Sequence, residues 1–203
     1  MLASNFSIHL KKLAFISIMF SGFFSSANAE TRFSTSYEFF DIGGTTIEEL
    51  WYDIETKGPG KGRGHAGYTT FDLENEVKYR RENGMCSIAN IIFTMHSTVQ
   101  LPNWTDKNKS DRNMQIYWQA LFSDVKRHEE EHVRIAHEAI IDLQKKSAAL
   151  KPQKSCNTIA KQVTLLAQRN RSALNRAQNI FERAEMRGQR KRMEALIRDL
   201  QGG

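Results

Sequence analysis

Cysteine is scarce in this 203-residue chain, which has only Cys86 and Cys156. Lone cysteines about seventy residues apart lack the paired spacing of a zinc finger, which argues against a cysteine-built metal site. Long apolar runs are scarce too. The one candidate, Leu13 to Phe24, is too short to span a bilayer comfortably, and no later segment has the length and apolarity of a transmembrane helix. Internal repeats and low-complexity linkers are missing, so nothing divides the chain into several domains. The three prolines, Pro59, Pro102 and Pro152, each read as the end of an element.

What is present begins with an export signal. Lys11 and Lys12 precede the uncharged apolar run, and Ala27-Asn28-Ala29 is a small-x-small cleavage site. The pattern predicts a signal peptide over 1–29, cut after Ala29, and a single periplasmic or secreted domain over 30–203. Of 29 basic residues the leader removes two lysines, leaving 27 against 23 acidic ones, a net of +4. The excess gathers in Arg187-Gly188-Gln189-Arg190-Lys191-Arg192, read as the solvated tail of a helix; export removes most nucleic-acid partners. Two cysteines in an exported chain predict one disulfide, Cys86–Cys156, contributing roughly 3–4 kcal/mol by restricting the unfolded chain.

Periodicity predicts an α+β fold: a small antiparallel sheet with one short helix, packed on two long antiparallel helices. Residues 35–41 read as a short strand. Gly43-Gly44 turns the chain, Thr45 or Thr46 caps a helix with Glu48 and Glu49 in its first turn, and Gly58-Pro59-Gly60 ends it. Residues 58–67 read as a loop. Period-two alternation marks strands at 68–80 (Phe71, Leu73, Val77, Tyr79 on one face) and 88–101 (Ala89, Ile91, Phe93, Met95, Val99, Leu101 on one face), with Glu82-Asn83-Gly84 joining them as a hairpin. The long helices cover about 111–149 and 156–199. Met114, Trp118, Leu121, Val125, His128, His132, Ile135, Ala139 and Leu143 form the expected buried stripe of the first; Ile159, Val163, Leu166, Leu174, Ala177 and Phe181 form that of the second.

Chemistry concentrates in His128-Glu129-Glu130-Glu131-His132. Histidines four apart project from one helix face one turn apart and can share a zinc ion; this is the H-E-x-x-H arrangement of zinc metallopeptidases. A catalytic zinc takes three protein ligands and leaves a position for water, whose pKa it lowers toward neutrality. Glu129 is placed to accept that water's proton and deliver it to the leaving amine. Glu130 and Glu131 read as partners in intrahelical ion pairs. The third ligand is sought on the second long helix, where Glu182 is the leading candidate and Glu185 the next. His137, five residues past His132, falls on another face, and His96 and His65 read as a solvent-facing strand residue and a loop residue. Tyr68 and His96 are open candidates for an oxyanion donor. The strand at 88–101 is the one expected to pair with an extended substrate.

These residues resemble an uncharacterised bacterial family of predicted secreted zinc-dependent proteases. The likeness covers about 36 to 188. Its landmarks are Tyr37, Gly43-Gly44-Thr45, Glu49-Leu50, Gly58-Pro59, Gly67-Tyr68-Thr69, Cys86, Leu101-Pro102-Asn103-Trp104, Trp118 and Cys156, besides the H-E-x-x-H. One departure stands out. Where the family tends to Tyr-Asp-x-x-Thr-x-His-Gly, this chain reads Phe181-Glu182-Arg183-Ala184-Glu185-Met186-Arg187-Gly188: Glu182 keeps a carboxylate, and Arg187 replaces a histidine. The resemblance implies a zinc-dependent hydrolase of peptide or protein substrates. The rival expectation is a periplasmic binding or structural module with a vestigial or purely structural zinc site and an envelope protein as partner.

Overall fold

A computed structural model describes residues 28–59 and 66–202. The expected leader up to residue 27, the middle of the glycine-rich loop and His65 lie outside the described residues. The elements are β1 (Asn28–Ile42), α1 (Ile47–Lys57), β2 (Tyr68–Glu82), β3 (Met85–Trp104), α2 (Arg112–Ala148) and α3 (Cys156–Gly202), with a 3-10 turn at Lys107–Lys109.

The α+β class holds, but the sheet is mixed. Its order is β1-β3-β2: β2 and β3 form the expected antiparallel hairpin, and β1 joins the other side of β3 in parallel. At the hairpin turn Asn83 and Gly84 both adopt positive φ, 50° and 72°, the two-residue turn that matches strand twist. β3 is therefore central, paired on both sides. Over residues 90–100 it has no free edge for an extended peptide, contrary to expectation; the edge strands are β1 and β2.

Three strand readings need correction. The first strand is longer than the expected 35–41: β1 pairs with β3 all the way from Asn28 to Ile42. Ala89 does not share a face with Ile91, because the register shifts there: Lys78 pairs with Asn90 and Tyr79 with Ile88. The extra residue is a bulge, so Ile88 is buried before it and Ile91 after it. Nor does Pro102 end its strand. β2 pairs β3 only as far as Gln100, so beyond it β3 has a partner on the β1 side alone, where proline's missing N–H costs no ladder bond.

Thr46 is the cap of α1, accepting from Glu49 N while the Glu49 carboxylate returns to the Thr46 N–H, a capping box. Asp111 caps α2 through Met114 N at 2.8 Å. Across the helix pair, Asn170 meets Ala139, Gln178 meets His132 and Asn113 meets Leu200. Partners on α2 fall as those on α3 rise, so the helices are antiparallel, as expected.

α2 lies between the sheet and α3, and this alters its stripe. Its buried residues after Val125 are His128, Glu129, Val133, Ala136, Ile140, Leu143 and Ser147. The expected Ile135 and Ala139 are only half-buried. The sheet takes the face through Glu129, Val133 and Ala136, while His132 and Ala139 turn toward α3. Two apolar clusters flank this layer. One joins α1, the end of β3 and the first half of α2; the other joins Cys86, Ile91, Phe93, Ile140 and Ile159. In the second, the Cys86–Cys156 disulfide fastens the start of α3 to the sheet, helped by paired backbone bonds between Cys86 and Gln153.

Candidate metal centre

Helix spacing puts His128 and His132 one above the other, and α3 brings Glu182 against both. His132 Nε2 stands 3.1 Å from His128 Nε2 and 2.9 Å from Glu182 Oε1, and His128 Nε2 is 3.5 Å from the same oxygen. Three potential ligand atoms thus form a triangle with edges of 2.9–3.5 Å. Ligands held about 2.0–2.1 Å from one tetrahedral ion stand about 3.3 Å apart, so the triangle has the dimensions of a zinc site.

Hydrogen bonding supports that fit. The His132 Nδ1–H donates to Gln178 Oε1 at 2.5 Å, and Gln178 Nε2 donates to the His132 carbonyl at 3.0 Å. Gln178 therefore claims the single ring proton of a neutral His132 and leaves Nε2 bare. A bare nitrogen facing a carboxylate oxygen at 2.9 Å needs a cation between or beside them, a proton or a metal. Without metal the burden falls on protons. The two histidines hold the Glu182 carboxyl well below the usual carboxylate range. Burial opposes protonation of His132, but Glu182 and Gln178 outweigh it and raise its pKa. Phe181 covers both imidazoles, its ring centroid 4.9 Å from that of His128 and 5.0 Å from that of His132.

Glu129 projects toward the sheet, 4 % exposed. Burial raises its pKa, against the pull of Thr69 and the two histidines. Thr69 Oγ1 donates to Glu129 Oε2 at 2.6 Å. Gly67 lies so close that a Cβ there would meet Glu129 Cγ and Oε1 at 2.8 Å and Val125 Cγ1 at 2.9 Å; only glycine fits. Glu129, His132 and Glu182 open onto one cleft of about 360 Å³, walled by Gly67, Tyr68 and Thr69 on β2 and its approach, and by Gln178 and Asn179 on α3.

The structure thus brings His128, His132 and Glu182 together beside Glu129, and leaves the other ligand candidates elsewhere. Among these, Glu185 is bound to Arg127 and Arg192, one turn away. His137 stacks on Phe33, centroids 4.0 Å apart. On the exposed face of the sheet, His96 Nδ1 contacts Ser34 Oγ at 2.5 Å, which removes it as an oxyanion donor to the cleft, whereas Tyr68 lines it. Arg187 lines a different hollow, beside Trp51 and Tyr117, so the histidine it replaces is not needed to complete the triangle. Glu130 and Glu131 make the expected ion pairs with Lys126 and Arg134, and Glu130 also accepts from Tyr37 OH at 2.8 Å.

Gly67, Thr69 and Gln178 are site residues that the sequence reading did not assign. Gln178 had a signal: it precedes Glu182 by four, the same spacing as the two histidines, so both pairs share a helix face. Residues 37–189 match a family model described as a bacterial protein of unknown function (DUF922). No curated protein and no solved structure matches.

Proposed function

The chain belongs to the DUF922 family of bacterial proteins, and we propose that it is an exported zinc-dependent peptidase. One observation carries the reading: ligand atoms from His128, His132 and Glu182 converge, and two of these residues, His132 and Glu182, share a cleft with a buried glutamate adjacent to the first histidine. Zinc held by these three residues would supply a Lewis acid that polarises a peptide carbonyl and lowers the pKa of water.

The chain's own groups divide the remaining work. Glu129 takes a proton from water and returns it to the departing amine. Its burial suits this role, because a carboxyl with a raised pKa holds the proton between the two transfers. The Thr69 hydroxyl fixes one carboxylate oxygen, and Gly67 lets the backbone close over the other. Gln178 orients His132.

Export is supported by the leader pattern before Glu30 and by the disulfide, which belongs to oxidising compartments. No described helix is long and apolar enough to cross a membrane. A closed structural zinc site takes four protein ligands; among the described residues three converge, beside an open cleft, which favours chemistry over scaffolding.

The test is Glu129→Gln. Zinc content should stay at the wild-type level while hydrolysis of a mixed peptide pool falls about 10²- to 10⁴-fold. Undiminished hydrolysis would reject Glu129 as the base; zinc binding with no hydrolysis by the wild type would turn the reading toward a partner-binding module.

A further inference from the structure

The cleft beside Glu129 does not end at the triangle. Phe71 lines it and also lines a second hollow of about 540 Å³ between β2 and α3. The two form one groove. Along β2 it follows Thr69, Phe71 and Leu73, alternate residues that face the helices. Along α3 it runs from Glu182 and Gln178 to Leu174. Its floor is Met95 and Ile140, both buried.

Two features show that this groove is left open by the fold. Leu73 pairs with Met95 on the helix-facing side of the sheet, yet it is 42 % exposed while Met95 is 1 % exposed. An inward-facing leucine on a well-paired strand is uncovered because α3 does not close over it. Beside it, β2 is an edge strand, so the backbone groups on its outer side have no partner in the sheet. A hollow with an apolar floor and a polar rim on α3 (Gln168, Arg171, Asn175), and a free strand edge, continuous with a cleft that holds the candidate base, suit one kind of occupant: a peptide in extended form, its backbone along β2 and a side chain directed inward.

We propose that the groove bounded by Phe71, Leu73 and Leu174 is a specificity subsite that takes a large apolar side chain of an extended peptide substrate. The proposal rests on the peptidase reading and deepens it. Its position sets a register. Thr69 to Leu73 is four strand residues, about 13 Å; Glu182 to Leu174 is eight helical residues, about 12 Å. Both lengths correspond to about four residues of extended chain. The selected side chain therefore lies three to five residues from the bond that is cut, well away from the residues flanking that bond.

The experiment is cleavage-site profiling. Zinc-loaded protein is incubated with a mixture of random-sequence peptides, and the cut positions are read by mass spectrometry. The wild type should enrich Leu, Met or Phe about tenfold at one position three to five residues from the cut. Leu73→Asp should erase that enrichment while zinc content and melting temperature stay at wild-type values, and Leu73→Met should keep it. Should the aspartate variant fail to fold, Leu73→Thr, which suits a strand, gives the same readout. Cleavage with no enrichment in that window, or with a profile unchanged in Leu73→Asp, overturns the subsite and leaves the peptidase standing. No cleavage of any peptide by the zinc-loaded wild type overturns both.

Discussion

Two polar clusters sit one turn apart between α2 and α3. In the first, Asp124 and Glu185 meet Arg127 and Arg192; Asp124 Oδ1 accepts from both arginines at 3.0 Å. Two carboxylates face two guanidiniums, so the charges cancel within the chain. In the second, His128, His132 and Glu182 turn three ligand atoms toward one another with no arginine or lysine among them. The two helices are the same; the missing element is a cation. The first cluster is balanced in charge as it stands, and fastens α3 to α2. The second is complete only with protons or a metal, which is why the same pair of helices supplies both a clasp and a candidate site.

Substitutions at the two clusters should therefore separate cleanly. The largest effect belongs to the triangle. His132→Ala should reduce zinc affinity by more than the roughly 100-fold upper range seen for outer residues of metal sites, read by competition with a chromophoric chelator. Zinc affinity should hardly change in Asp124→Asn, which should instead lower stability by about 2 kcal/mol, since Asp124 is buried but its arginines are half exposed. Denaturant unfolding measures this. If Asp124→Asn lost zinc, the two clusters would not be separable.

Gln178→Leu tests the boundary between them. It removes the acceptor that holds the His132 ring without touching a ligand, so zinc affinity should fall about 10- to 100-fold with the melting temperature of the metal-free protein little changed. The smallest effect lies far from both clusters. Thr46→Ala should cost about 1 kcal/mol by removing the α1 cap, with zinc affinity unaltered.

Much of this was legible in the sequence because it depends on local spacing. The His128–His132 pair, the Thr46 cap, the Asn83-Gly84 turn and the two long helices are each set within a few residues. Glu182 was reachable because a short connection makes the helices antiparallel. What escaped depends on contacts distant in sequence. The parallel pairing of β1 with β3 leaves no local mark, since each strand alternates alike whichever way its neighbour runs. The bulge at Ala89 reverses the inward face near the start of a strand whose pattern looked continuous. The stripe of α2 drifts because the helix is buried on two sides, against the sheet and against α3, and a single-face periodicity cannot represent both. Gly67 and Thr69 reach Glu129 from 60 or more residues away, and only the fold brings them over it.

The central claim is that the triangle is made for a metal ion. The direct test is the zinc content of the wild-type protein, purified without chelator or added histidines, dialysed against zinc and measured by elemental analysis. It should be run beside a variant carrying His128→Ala, His132→Ala and Glu182→Ala together. The account predicts about one zinc per chain in the wild type and none in the triple variant. A wild type that takes up no zinc, or a triple variant that still holds it, would contradict the account.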